Sequence, residues 1–113
     1  MVISFSHDTA FDYFQQNGFV YTFRKSRRKR PNTSTWMNRG RGEKKVADVH
    51  VREIGKVDPT DVDNLKPMFR SSGFVTPQLW KQAIEEVNGS LPNEGWVYLV
   101  LDATKNEIQY DNE

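Results

Sequence analysis

"FVYTFRKSRRKRPNTSTWMNRGRGEKKVADVHVREIGKV", residues Phe19–Val57, decides how this chain folds. The stretch opens on strict alternation: Phe19, Tyr21 and Phe23 share one face of an extended segment, and Val20, Thr22 and Arg24 share the other. This phase leaves Thr22 and Arg24 on the non-core face. The stretch closes on a longer strand pattern, with Ala47, Val49 and Val51 on one side and Asp48, His50 and Arg52 opposite. The apolar phase then slips to Ile54, which predicts a bulge near Arg52–Glu53, and Gly55 suits a bend in a curved sheet. Residues 25–43 follow neither period. Pro31, the "NTST" cluster and the "RGRG" pair predict one long basic loop. Long loops inside compact domains are usually functional or disordered.

Working outward, "MVISF" reads as a short first strand and "SHDTAFDYFQQNG" as a helix. Ser6, Asp8 or Thr9 would cap that helix, Ala10, Phe11 and Phe14 would form its inner face, and Gly18 would end it. "DPTDVDNLKPMF" predicts a turn and a short helix ended by Pro67. "VTPQLWKQAIEEVNG" carries the clearest helix signals: Thr76 as N-cap, Pro77 at the first position and Gly89 at the stop. Its buried stripe would be Leu79, Trp80, Ala83, Ile84 and Val87. "GWVYLVLDA" is apolar on both faces, as a central or closing strand is. The expected fold is α+β, a small β-barrel with flanking helices and a long basic loop. It would form one domain over residues 1–105 with the loop inserted between strands, and residues 106–113 would be a polar tail.

The net charge of +1 hides a strong asymmetry. Residues 24–45 hold ten of the sixteen lysines and arginines and one acidic residue, Glu43. The remainder holds six basic and fourteen acidic residues, so an anionic partner would meet one side of the molecule. No apolar run reaches the roughly 18 residues of a membrane span, and "MVISFSHD" lacks the layout of a secretory signal. There are no cysteines, hence neither a disulfide framework nor a thiolate metal site. The expectation is a cytoplasmic monomer without membrane contact.

"FVYTFRK", the long strand "KKVADVHVREIGKV", "SSGF" and the final "GWVYLV" together resemble an ASCH domain of the PUA-like superfamily. The resemblance runs from about Phe5 to Leu101. It implies a small PUA-like β-barrel associated with RNA, with a ligand cleft beside the barrel. Some ASCH-like proteins are amidohydrolases acting on acetylated cytidine through a Lys, a Thr and a Glu. Thr22 and Arg24 match one end of that motif, but the Lys position falls on Phe19 and the Glu position near Ser72 or Gly73. Binding without catalysis is therefore expected.

The candidate nucleic-acid-binding residues are Thr22, Arg24, Lys25, Arg27, Arg28, Lys29, Arg30, Trp36, Arg39, Arg41, Lys44 and Lys45, joined by Ser71 and Ser72. Lys and Arg neutralise phosphates, Arg adds planar bidentate contacts, and Trp36 offers a stacking surface for an unpaired base. Arg24 would either line the cleft or pair with Asp48 across the sheet. Ser71 and Ser72 would lend hydroxyls, or "SSGF" would be a plain loop with Phe74 plugging the barrel. His7 and His50 read as structural, with acid–base chemistry at His50 the alternative. Asp58, Asp61 and Asp63 lack the glycine and terminal glutamate of a calcium loop and read as helix caps. No metal and no cofactor are expected. Partners other than RNA, such as an acidic protein surface, stay open, as does an enzyme of the ASCH type or a ribonuclease.

Overall fold

A computed structural model describes residues 2–104; the expected polar tail, 106–113, lies outside them. The strands are β1 (Ile3–Ser4), β2 (Phe19–Arg24), β3 (Thr33–Asn38), β4 (Ala47–Val57) and β5 (Gly95–Asp102). The helices α1 (Asp8–Asn17) and α2 (Pro77–Asn88) accompany them, with short 3₁₀ turns at Val62–Asn64 and Phe69–Ser72. The strands form one curled, half-barrel sheet in the order β1-β3-β4-β5-β2. β1 is parallel to β3 and all other neighbours are antiparallel. No helix among the described residues is long and apolar enough to cross a membrane.

The curl has a local cause. Glu53 faces Tyr98 and Gly55 faces Val97, so Ile54 is the extra residue of a bulge, one position beyond the one predicted. A bulge bends its strand and increases its twist. The two edge strands then approach each other: Phe5, whose N–H continues the β1 ladder to Asn38 O (2.9 Å), places its ring 4.9 Å from the Arg24 guanidinium carbon.

Both faces of the sheet are covered, and this overturns one expectation. Val20, Val51, Tyr98 and Val100 line the concave side, where α1 inserts Ala10 and Phe14. Phe23 and Val97 face the convex side, packed by Leu65 and by Trp80 and Ile84 of α2. Thr22 and Arg24 share the face of Val20, so they point into the concave interior and not away from the core. Thr22 is buried. A strand alternating apolar with polar residues looks one-sided only if a single face is covered.

The basic segment is not one loop. β3 lies inside it, paired with β4 from Thr33↔Val51 to Met37↔Ala47. Thr33, Thr35 and Met37 turn inward while Ser34 and Trp36 stay exposed. Pairing with β4 makes a strand of a segment whose inward residues are mostly threonines, a β-prone type with little hydropathy signal.

The helix ends follow their caps. Thr76 Oγ1 accepts from Leu79 N–H (3.1 Å) and Gly89 turns left-handed at φ 76°. On α1 the cap is His7, not Ser6, Asp8 or Thr9: its Nδ1 accepts from Thr9 N–H (3.3 Å). Within the expected α2 stripe, Trp80, Ala83 and Ile84 are buried, but Leu79 and Val87 are exposed because α2 covers only the β2–β5 side of the sheet.

Candidate anion-binding cleft

A cleft of about 180 Å³ opens where the two sheet edges approach each other. One wall is the whole run Tyr21–Lys25 of the edge strand β2. The Ser4–His7 segment faces it, and Phe74 and Trp80 complete the walls. The inner lining is buried: Phe5, Ala10, Phe23, Trp80 and Ile84 are all nearly inaccessible. The cleft is therefore mostly apolar, and of the two cations in its lining one is shielded from solvent while Lys25 is exposed.

The shielded cation is Arg24. Its Nε donates to Thr22 Oγ1 (3.3 Å), which orients the guanidinium plane at the cleft lining. Beneath it lies the Phe5 ring, a cation–π contact that supports the charge without neutralising it. Among the described residues no carboxylate pairs with Arg24; Asp48 pairs with Lys45 instead (3.3 Å). Burial disfavours its charged form, and the positive charge of Arg28 adds to this, against a smaller opposing effect of Tyr98. Together they lower its pKa to about 10, so it stays protonated at neutral pH. A desolvated cation without an anionic partner is costly to the fold. An anion entering the cleft would remove that cost.

The neighbouring basic residues divide by what holds them. The β2–β3 connection crosses the concave side, and Arg28 N–H donates to the hydroxyl of fully buried Tyr98 (2.8 Å). Arg27 makes a bidentate pair with Glu53 (2.8 and 2.9 Å), and Asn32 Oδ1 accepts from Glu53 N–H (3.0 Å). This connection is thus tied at three points. Lys25, Lys29 and Arg30 are exposed beside it, without an ion pair among the described residues. On the β3–β4 turn, Arg39 stacks on Phe11 (4.0 Å), donates to Phe5 O (2.9 Å) and Ser6 O (3.4 Å), and pairs with Asp8. Arg39 therefore acts as a clamp that fastens its turn to the cleft wall, while Arg41 and Lys44 remain exposed.

The remaining sequence candidates are placed less favourably. Ser72 lines the cleft, but its hydroxyl is engaged: it donates to Phe69 O and accepts from Phe74 N–H (3.2 Å). Ser71 does not line the cleft. Trp36 is exposed on the outer face of β3 opposite Asp48, outside the cleft lining. His50 also sits outside, bonded to Ser34 Oγ (2.8 Å), so it does not join Thr22 and Arg24. The cleft residues that sequence reading missed are Phe5, His7, Phe74 and Trp80. The edge-to-face contact of His7 with Phe74 (5.2 Å) joins α1 to the 72–74 turn, a long-range closure with no local signal.

A second hollow of about 350 Å³ lies beside the first, between Thr9, Val75, Leu79 and Glu86. It is larger, but it has no Lys or Arg in its lining and it carries Glu86. Electrostatics therefore favour the smaller cleft for an anion. Compared with known proteins, the chain matches no family model, no curated protein and no solved structure.

Proposed function

We propose that this protein binds RNA, with the Arg24 cleft receiving one nucleotide unit and the exposed cations of the two basic turns holding the adjoining phosphates. The observation that carries this reading is the Arg24 guanidinium, desolvated, unpaired and open to an aromatic-walled cleft. Its surroundings support the same partner. Lys25 lines the cleft, Lys29 and Arg30 follow it on one turn, and Arg39 ties the turn bearing Arg41 and Lys44 to Phe5 and Ser6 of the opposite wall. Phe5 and Phe74 offer ring faces for a sugar or base, and bases stack on such faces with little sequence preference. A PUA-like barrel, as the resemblance to ASCH domains implies, fits this arrangement. Thr22 Oγ1 is committed to Arg24, so the reading assigns Thr22 to orientation, not to nucleophilic attack.

The test is salt dependence. Engaging about six phosphates on a single strand gives a slope of log K against log salt of about −4. Replacing Lys25, Lys29 and Arg30 by glutamine should bring the slope to about −2, since each lost phosphate contact removes about 0.7. A slope near zero for the unaltered protein would refute RNA binding.

A further inference from the structure

We infer that the cleft reads the hydrogen-bonding edge of one unpaired RNA base through the main chain of β2, so that RNA whose base edges are blocked binds weakly. This inference rests on the RNA-binding reading and specifies what enters the site.

The cleft takes Thr22 and Arg24 from the concave face of β2 and Tyr21 and Phe23 from its convex face. Among the described residues none of β5 lines it. A hollow touched by both faces of one strand runs along that strand's edge. β2 is the last strand of the sheet, so this is its open edge, the side away from β5. An open edge presents a row of N–H and C=O groups.

The register identifies those groups. In an antiparallel pair, alternate residues turn both their N–H and their C=O toward the neighbouring strand. Asp102 N–H donates to Gly18 O (2.8 Å), and the pairing continues through Val20↔Val100, Thr22↔Tyr98 and Arg24↔Trp96. Val20, Thr22 and Arg24 therefore direct their main-chain groups to β5. A Cβ on Gly95 would stand 2.7 Å from the Arg24 carbonyl oxygen, in agreement with that phase. The N–H and C=O of Tyr21 and Phe23 turn the other way, toward the cleft. They have no hydrogen-bond partner among the described residues. Phe23 is only 8% exposed. Main-chain groups at so inaccessible a residue are almost always paired, so they mark where the polar edge of a ligand belongs.

Each of these residues offers a donor and an acceptor side by side. Uracil answers with N3–H beside a carbonyl oxygen, guanine with N1–H beside O6, cytosine with N4–H beside N3 and adenine with N6–H beside N1. Base pairing occupies that edge, so only an unpaired base qualifies. Bonded there, the flat ring extends the plane of the sheet. Phe5 and Arg24 lie on the concave side of that plane, and Phe74 and Trp80 on the convex side. Aromatic rings and a guanidinium suit the two faces of a base. The free edge is short, and Lys25 at its end leads to the exposed Lys29 and Arg30. A base carried on a polyanion fits this setting better than an added peptide strand.

The experiment compares ten-nucleotide RNAs of uridine, 5-methyluridine and 3-methyluridine by fluorescence competition at fixed salt. All three carry the same charge, but only the 3-methyl group replaces the N3–H donor. The first two should bind within about threefold of each other, and the 3-methyl RNA at least about tenfold more weakly. Amide hydrogen exchange gives a second readout, with a ten-residue oligoglutamate run alongside. The uridine RNA should slow exchange at Tyr21 and Phe23, whereas the 3-methyl RNA at the same concentration should not. Equal binding of all three RNAs overturns this inference and leaves the RNA reading standing; failure of all three to bind removes both. Protection of Tyr21 and Phe23 by the oligoglutamate and not by the uridine RNA also overturns it, and assigns the edge to an acidic peptide.

Discussion

Replacing Arg24 by methionine should stabilise the ligand-free protein and weaken its binding of RNA. The depression of the Arg24 pKa to about 10, below the ordinary arginine range, corresponds, at about 1.4 kcal/mol per pH unit, to roughly 3 kcal/mol against the charged form. Methionine has a similar length and no charge to desolvate. It forfeits the contact with the Phe5 ring, worth about 0.5–1 kcal/mol, and the bond to Thr22, worth about 1 kcal/mol. The net expectation is a gain of about 1–2 kcal/mol, which for a domain of this size raises Tm by roughly 4–10 °C. The pH dependence has a definite sign. The folded pKa is depressed, so the penalty is fully present below about pH 10 and is relieved only as pH rises from there toward the ordinary arginine range. Between pH 6 and 9 the gain from Arg24→Met should therefore be flat. A destabilised Arg24→Met protein would mean that Arg24 is a structural residue and not a binding group.

Gly73→Ala should strongly destabilise the fold at the 72–74 turn, beside the cleft. Gly73 has φ +93°, a conformation costly for any residue with a Cβ. A Cβ there would stand 2.8 Å from the Thr9 carbonyl oxygen and 2.9 Å from Tyr13 Cβ, both parts of α1 that cannot yield as a flexible tip would. Strain of about 1–2 kcal/mol and overpacking of about 1–3 kcal/mol together approach the whole stability of a marginal domain. Urea unfolding of three variants separates the causes. Gly89→Ala has the positive φ (76°) in open space and should lose about 1 kcal/mol; Gly55→Ala has neither problem and should be near neutral. Gly73→Ala should fall well below both. Comparable midpoints for all three would contradict the close packing of the 72–74 turn on α1.

What the sequence disclosed, and what it hid, follows from the range of each signal. β2, β4 and α2 were legible because alternation, Thr76, Pro77 and Gly89 act within a few residues. The bulge was legible because a one-residue slip moves every later side chain to the other face. β3 was hidden because its inward residues include Thr33 and Thr35, whose hydropathy resembles that of a loop. The concave placement of Thr22 and Arg24 was hidden because it depends on α1 entering the curl from elsewhere in the chain. Thr22, Arg24 and Lys25 could be read as one side of a cleft. Phe5, His7 and Phe74 could not, since only closure of the sheet edges brings them there. Charge counting also credited Arg27 and Arg39 to a ligand, whereas Glu53, Asp8 and the Phe5 carbonyl occupy them.

The most direct measurement of the central claim is an amide NMR titration of the protein with a short single-stranded RNA at physiological salt. Binding in the cleft predicts concerted, saturable shifts at Tyr21–Lys25, His7 and Ser72–Phe74, together with Lys29 and Arg30. Shifts confined to the exposed turns, with the amides of Tyr21–Lys25 and Phe74 unmoved at saturation, would contradict it.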